Sequence, residues 1–143
     1  MSTECEEFSA GGVVLRDGQV AVIVPVKRGP GGVRVLGLPK GHPDGDETAE
    51  QAAQRELAEE AGVTGELIEP LGDVTYTYVR KGRTVTKVVR FYLFAYRGGD
   101  VADHDHEVEQ ARWMPLAQAA RELTYAGERE MVQRAMSRSL RDR

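Results

Sequence analysis

Residues 41–63 read GHPDGDETAEQAAQRELAEEAGV, and they settle how the chain is organised. The opening third is dense in Gly and Pro and reads as a loop. Thr48 and Gln51 then form an S/T-x-x-E/Q capping box, which predicts a helix from Ala49 to Ala61 with Gly62 just past its end. Ala53, Leu57 and Ala61, with Ala49 at the edge, make an apolar stripe suited to packing on a sheet. Glu56, Glu59 and Glu60 lie at the border of that stripe, three and four residues apart, and project to one side. Like charges so spaced repel by roughly 0.2–0.5 kcal/mol per pair, and the negative end of the helix dipole disfavours them further. Three carboxylates gathered there lower stability unless something positive sits among them.

On either side the pattern is that of strands. FSAGGVVLR and QVAVIVPVK, separated by Asp17-Gly18, predict a hairpin, and VRVLGL predicts a third short strand. PKGHPDGD is an irregular loop. After the helix, ELIEPLGDVTYTYVR and TVTKVVRFYLFAYR, joined through Lys81-Gly82, form a long hairpin. A polar loop, GGDVADHDHEVEQ, leads to a last short strand, ARWMPL. One or two amphipathic helices follow, with Pro115 near a helix start. The order β-β-β-α-β-β-β-α implies an α/β fold, a mixed sheet with helices on its faces. A length of 143 residues suits a single domain, 1–143. Residues 1–7 and 138–143 are expected to fray.

The stretch from Gly41 to Val63 resembles the Nudix hydrolase box, G-x5-E-x7-R-E-U-x-E-E-x-G-U with U aliphatic. Gly41, Glu47, Arg55, Glu56, Leu57, Glu59, Glu60, Gly62 and Val63 fill every fixed position. The resemblance implies an α/β/α sandwich and a hydrolase of phosphoanhydride bonds. It also implies metal ligation by Glu56, Glu59 and Glu60, with the Gly41 carbonyl as an added ligand. Arg55 would orient the carboxylates, Glu47 would brace the loop or assist at the metal, and Gly41 and Gly62 would serve backbone geometry. The general base stays open: Glu107, six residues before Trp113 in DHDHEVEQARW, stands where a later-loop acid often lies and is base or extra ligand, with Glu60 and Glu59 as rivals. Glu109, His104 and His106 are expected to be bystanders.

The chemistry accounts for the spacing independently. Water must reach a phosphorus shielded by negative oxygens, so positive charge has to be concentrated there, and divalent cations do this best. Mg2+, for which Mn2+ substitutes, prefers oxygen ligands, and a short row of carboxylates anchors it. Unit charges about 4 Å apart interact by about 4 kcal/mol at an effective dielectric near 20, so a dication outweighs the helix penalties.

Outside the box, LPKGH, KVVRFYLF and EVEQARWMPLAQA look similar to diadenosine polyphosphate hydrolases and their diphosphoinositol polyphosphate relatives. That likeness implies a dinucleoside polyphosphate as substrate. Nucleoside triphosphate pyrophosphatase activity and a non-catalytic Nudix-fold ligand sensor are the alternatives. Lys40 and Lys87 would hold phosphates as point charges, with Tyr78 and Arg90 as further substrate-binding candidates. For Tyr76, Tyr78, Phe91 and Tyr92, packing in the core competes with base stacking.

Composition agrees. A net charge of −4 and a pI near 5.4 argue against broad binding to nucleic acid, so no stable nucleic-acid partner is expected. Arg80, Lys81, Arg83, Lys87, Arg90 and Arg97 nevertheless form an acid-free basic run between Val74 and Gly99, facing acids clustered from Asp44 to Glu69 and from Asp100 to Glu109. That arrangement suits a polyanion held through metal ions. No apolar run approaches the roughly 20 residues that span a bilayer. A single cysteine, Cys5, fits a reducing cytosol and no catalytic role. The expected partner is a small nucleotide or polyphosphate, on a cytoplasmic monomer or homodimer.

Overall fold

The computed structural model describes residues 5–141. Two antiparallel hairpins build most of its sheet. β1 (Cys5–Arg16) turns into β2 (Gln19–Pro25) through Asp17-Gly18, both at positive φ, as a two-residue hairpin turn requires. β4 (Val63–Arg80) and β5 (Arg83–Gly99) are joined the same way through Lys81-Gly82. β1 runs parallel to β5 from Cys5 opposite Val85 to Leu15 opposite Ala95, which welds the two hairpins together. With β6 (Val108–Pro115) on β2, the strand order is β4-β5-β1-β2-β6, and β3 (Lys40–Gly41) pairs with β1 off this path.

Helices cover both faces of this mixed sheet. α1 (Ala49–Ala61) lays Ala52, Ala53, Leu57 and Ala61 against Ala10, Val14, Ala21, Ile23 and Phe94. On the opposite face, α2 (Leu116–Glu122) and α3 (Ala126–Arg141) cover Val13, Val20, Val22, Val89, Phe91 and Leu93 with Ala119, Met131, Val132 and Ala135. The result is the α/β/α sandwich expected. Among the described residues no helix is long and apolar enough to cross a membrane.

Three expectations need correction. VRVLGL is not a strand: Leu36 N–H donates to Thr124 Oγ1 at 2.8 Å and Leu38 N–H to Glu128 Oε1 at 2.9 Å. Side chains of the 124–128 segment thus take the donors a ladder would need, and only the bridge between Ile23 and Gly37 remains. PKGHPDGD is not wholly irregular either, since Lys40 and Gly41 pair with Gly11 and Ala10. Finally, residues 5–7 are tied to Val85, Thr86 and Lys87, and Arg138 donates to the Pro70 carbonyl at 2.8 Å, so neither segment frays there. The rest of that expectation, residues 1–4 and 142–143, lies outside the described residues.

Candidate active site

The capping box forms as read: Thr48 Oγ1 accepts from Gln51 N–H, and Gln51 Oε1 accepts from Thr48 N–H. At the other end Gly62 adopts the left-handed conformation, φ 73°, and its carbonyl accepts from Asp100 N–H at 3.1 Å. α1 is therefore fixed at both ends, with its acid-bearing side against the loop that carries Lys40, Gly41 and His42.

Arg55 organises that loop. Its guanidinium donates to Glu47 Oε2 at 2.9 Å, to Glu47 Oε1 at 3.0 Å, to Glu59 Oε1 at 2.9 Å and to the His42 carbonyl at 2.8 Å. It also lies 3.5 Å from Glu56. Glu47 in turn accepts from Asp44 N–H at 2.9 Å, and the Arg55 hydrogen bonds hold its carboxyl below the usual range. Glu47, Glu59, the His42 carbonyl and Arg55 thus share one hydrogen-bond network, the contacts on which bracing by Glu47 and orientation by Arg55 would depend.

Glu56 and Glu60 sit in a different situation. Burial pushes the Glu56 carboxyl up to about 8, and the charges of Glu60 and Glu59 add to the effect against the pull of Arg55. Burial also pushes Glu60 up to about 7, although its Oε1 accepts from Lys40 N–H at 2.9 Å; Asp105 and Glu107 raise it further. The site is short of positive charge. Its donors are all hard oxygens, which suits Mg2+ or Mn2+. Among the described residues, no three carboxylate, imidazole or thiol groups already converge as a ready ligand shell. Instead, Glu59 is held by Arg55 and Glu60 by the Lys40 amide. Glu56, Glu59 and Glu60 fit a divalent ion by their chemistry.

Gly41 shows why this position must lack a side chain. A Cβ there would land on Glu56 Oε2 and on the Glu56 carboxyl carbon. Gly41→Ala is expected to push Glu56 aside and lower kcat by roughly tenfold or more, since misplacement by about 1 Å can cost 10²-fold. Steady-state kinetics beside a thermal melt checks this; an unchanged kcat would contradict the packing argument.

Sequence reasoning missed two acids. Asp105 N–H donates to the Glu59 carbonyl at 2.7 Å, which carries the 105–107 loop to the end of α1, where the charges of Asp105 and Glu107 act on Glu60. Glu107 is fixed by its own N–H on Asp105 Oδ1 at 3.1 Å and by its carbonyl, which accepts from Val26 N–H at 2.9 Å. Glu128 is the second omission. It is fully buried on α3, 3.5 Å from Lys40 Nζ. Its position three and four residues before Met131 and Val132 puts it on the apolar stripe of that helix, the signal that could have exposed it.

The substrate-binding candidates divide. Lys40 and Lys87 come together on the α3 face of the sheet: burial, and then the nearby Lys40 charge, lower the Lys87 pKa. Tyr76, directly opposite Lys87 on β4, joins them, its phenol 3.5 Å from Glu128 Oε2. Arg90 does not. Three residues on from Lys87, it points to the other face, where it grips Asp73 at 2.9 and 3.1 Å over the Phe8 ring. Tyr78 is exposed and donates to Glu7, while Phe91 and Tyr92 are core residues. The acid-free basic run is partly neutralised, because Arg80, Arg90 and Arg97 each pair with an acid, Glu7, Asp73 and Glu66.

Comparison with known proteins agrees with this geometry. The NUDIX domain model matches residues 7–135. The chain is 42% identical over 136 residues to a putative mutator protein, MutT4, of Mycobacterium tuberculosis, covering 89% of this chain and 53% of that protein. It is 39% identical over 101 residues to an 8-oxo-(d)GTP phosphatase of Mycolicibacterium smegmatis, covering 71% of this chain and 30% of that one. The chain thus spans about half the length, or less, of these relatives. In fold it matches the crystal structure of a C. elegans Ap4A hydrolase binary complex, with TM-score 0.68 and 23% identity over 94% of this chain and 98% of that one. A box with every fixed position filled, folded as loop, helix and loop against a mixed sheet, and a family match over nearly the whole chain lead to one conclusion: this protein belongs to the Nudix family.

Proposed function

We propose that the protein is a divalent-cation-dependent hydrolase that cleaves a phosphoanhydride bond of a nucleoside polyphosphate. One observation carries the reading: two partly buried carboxylates, Glu56 and Glu60, face each other's charge beside a loop held in register by Arg55. A cation held by Glu56, Glu59 and Glu60, when bound, neutralises phosphate oxygens and makes water more acidic. Arg55 keeps Glu47 and Glu59 oriented, and the Lys40 N–H holds Glu60 in place. Glu107, whose charge acts on Glu60, is the candidate to take the proton from the attacking water; Glu59 and Glu60 remain its rivals. Lys40 and Lys87, whose charges act on each other, are the candidates to attract the phosphate chain.

For the substrate, the identity to the 8-oxo-(d)GTP phosphatase favours a purine nucleoside triphosphate, oxidised guanine included. The LPKGH and KVVRFYLF stretches favour the second reading, a dinucleoside polyphosphate. A turnover screen with and without Mg2+ separates them. Pyrophosphate or phosphate released from a triphosphate supports the first, and a mononucleotide from a dinucleoside tetraphosphate supports the second. Binding without turnover of either would replace the enzyme by a ligand sensor.

Glu107→Gln tests the base through the pH dependence of kcat. Loss of the acidic limb together with a fall of roughly 10²-fold is the expected result. An unchanged profile would move the role to another acid.

A further inference from the structure

Glu128 stands outside the machinery just described, yet it is a fully buried acid. Such a group is costly unless every oxygen is satisfied. Its Oε1 accepts from Leu38 N–H at 2.9 Å, and its Oε2 lies 3.5 Å from Lys40 Nζ and 3.5 Å from the Tyr76 hydroxyl. Burial disfavours the Lys40 ammonium, but the attraction of Glu128 and Glu60 outweighs it and holds the Lys40 pKa above its ordinary value.

The segment entering the box is anchored residue by residue. Leu36 is bound to Thr124 through both its N–H and its carbonyl, Gly37 to Ile23 likewise, and the Pro39 carbonyl accepts from Gly12 N–H at 3.1 Å. The last link is Lys40 N–H on Glu60 Oε1 at 2.9 Å. Lys40 thus reaches α3 through its side chain and the acid cluster of α1 through its backbone.

We propose that Glu128 is a positioning residue: by gripping Leu38 N–H and the Lys40 ammonium from α3, it sets the Lys40 amide against Glu60. The effect on turnover rests on the hydrolase reading above, but the effect on the Lys40 amide does not. A plain staple between α3 and the loop would add stability to the whole molecule. A positioning role acts at one amide.

E128Q keeps the shape and an acceptor for Leu38 while removing the charge that faces Lys40. Hydrogen exchange by NMR is expected to show the Lys40 amide exchanging roughly tenfold faster or more, with the Leu57 amide of α1 unchanged. kcat at saturating substrate should fall roughly tenfold. An unchanged Lys40 amide, or a rise shared equally by Leu57, would overturn the inference. Should E128Q not fold, K40M and K40M/E128Q carry the test. Once the cation is gone, adding E128Q should alter neither the residue-40 amide nor kcat, and a further tenfold loss would overturn the inference. Wild-type protein whose Lys40 amide is protected but which turns over no nucleotide would overturn the hydrolase reading alone.

Discussion

Glu60→Gln is expected to lower turnover by roughly 10²-fold or more and to leave the protein no less stable in metal-free buffer at pH 8. The activity loss follows from chemistry: a neutral amide is a poor ligand for a hard dication, and removing one well-placed electrostatic partner commonly costs about 10²–10³ in kcat. The stability result follows from burial. At pH 8 the Glu60 carboxylate is ionised, poorly solvated and close to Glu56, Asp105 and Glu107, so its charge works against folding. The amide keeps an oxygen for the Lys40 N–H and drops the repulsion. Kinetics with saturating Mg2+, paired with denaturation in EDTA, measures both. A loss of merely tenfold would remove Glu60 from the core of the site.

Metal-free protein should become less stable as the pH rises from about 5 to 8, and Mg2+ or Mn2+ should restore what is lost. The sign follows from the two raised carboxyls. Their folded values of about 8 and about 7 lie above the ordinary 4.5 of an unfolded chain, so between those limits the folded state binds more protons. Stability is therefore full below about 4.5 and falls as the pH climbs through 7 and 8. Each tenfold difference in proton affinity is worth about 1.4 kcal/mol. The two sites are coupled and only partly buried, so the combined penalty is a few kcal/mol rather than the full sum. For a domain of this size that corresponds to about 5–10 °C in Tm. Millimolar Mn2+ should raise Tm by about that much at pH 8 and by little at pH 5. Equal shifts at both pH values would mean the ion binds elsewhere.

Much of this was legible in the chain itself. The capping box, the left-handed Gly62 and the two turn dipeptides are local signals, each fixed by two to four adjacent residues, and they formed where the sequence places them. The acid cluster was equally plain because its members share one helix. What escaped depended on distant partners. Val33–Leu38 has strand-like residues, but Thr124 and Glu128, about 90 positions away, take its donors. Arg90 and Lys87 looked equivalent until the strand period put them on opposite faces. Asp105 reaches the site through a backbone hydrogen bond to Glu59 that no local pattern encodes. Gly41 was singled out by the resemblance to the Nudix box, whereas its reason, the Glu56 carboxylate lying where a Cβ would be, is tertiary.

The central claim is that the carboxylates following Arg55 are tolerated because a divalent ion sits between them and a phosphate chain. Crystals soaked in millimolar Mn2+ with a non-hydrolysable nucleoside polyphosphate analogue test it most directly, because anomalous scattering locates the ion. The account predicts an anomalous peak among Glu56, Glu59 and Glu60, with Glu59 released from Arg55 and analogue phosphates beside the ion. A peak absent from those side chains, with the analogue seated on another surface, would contradict it.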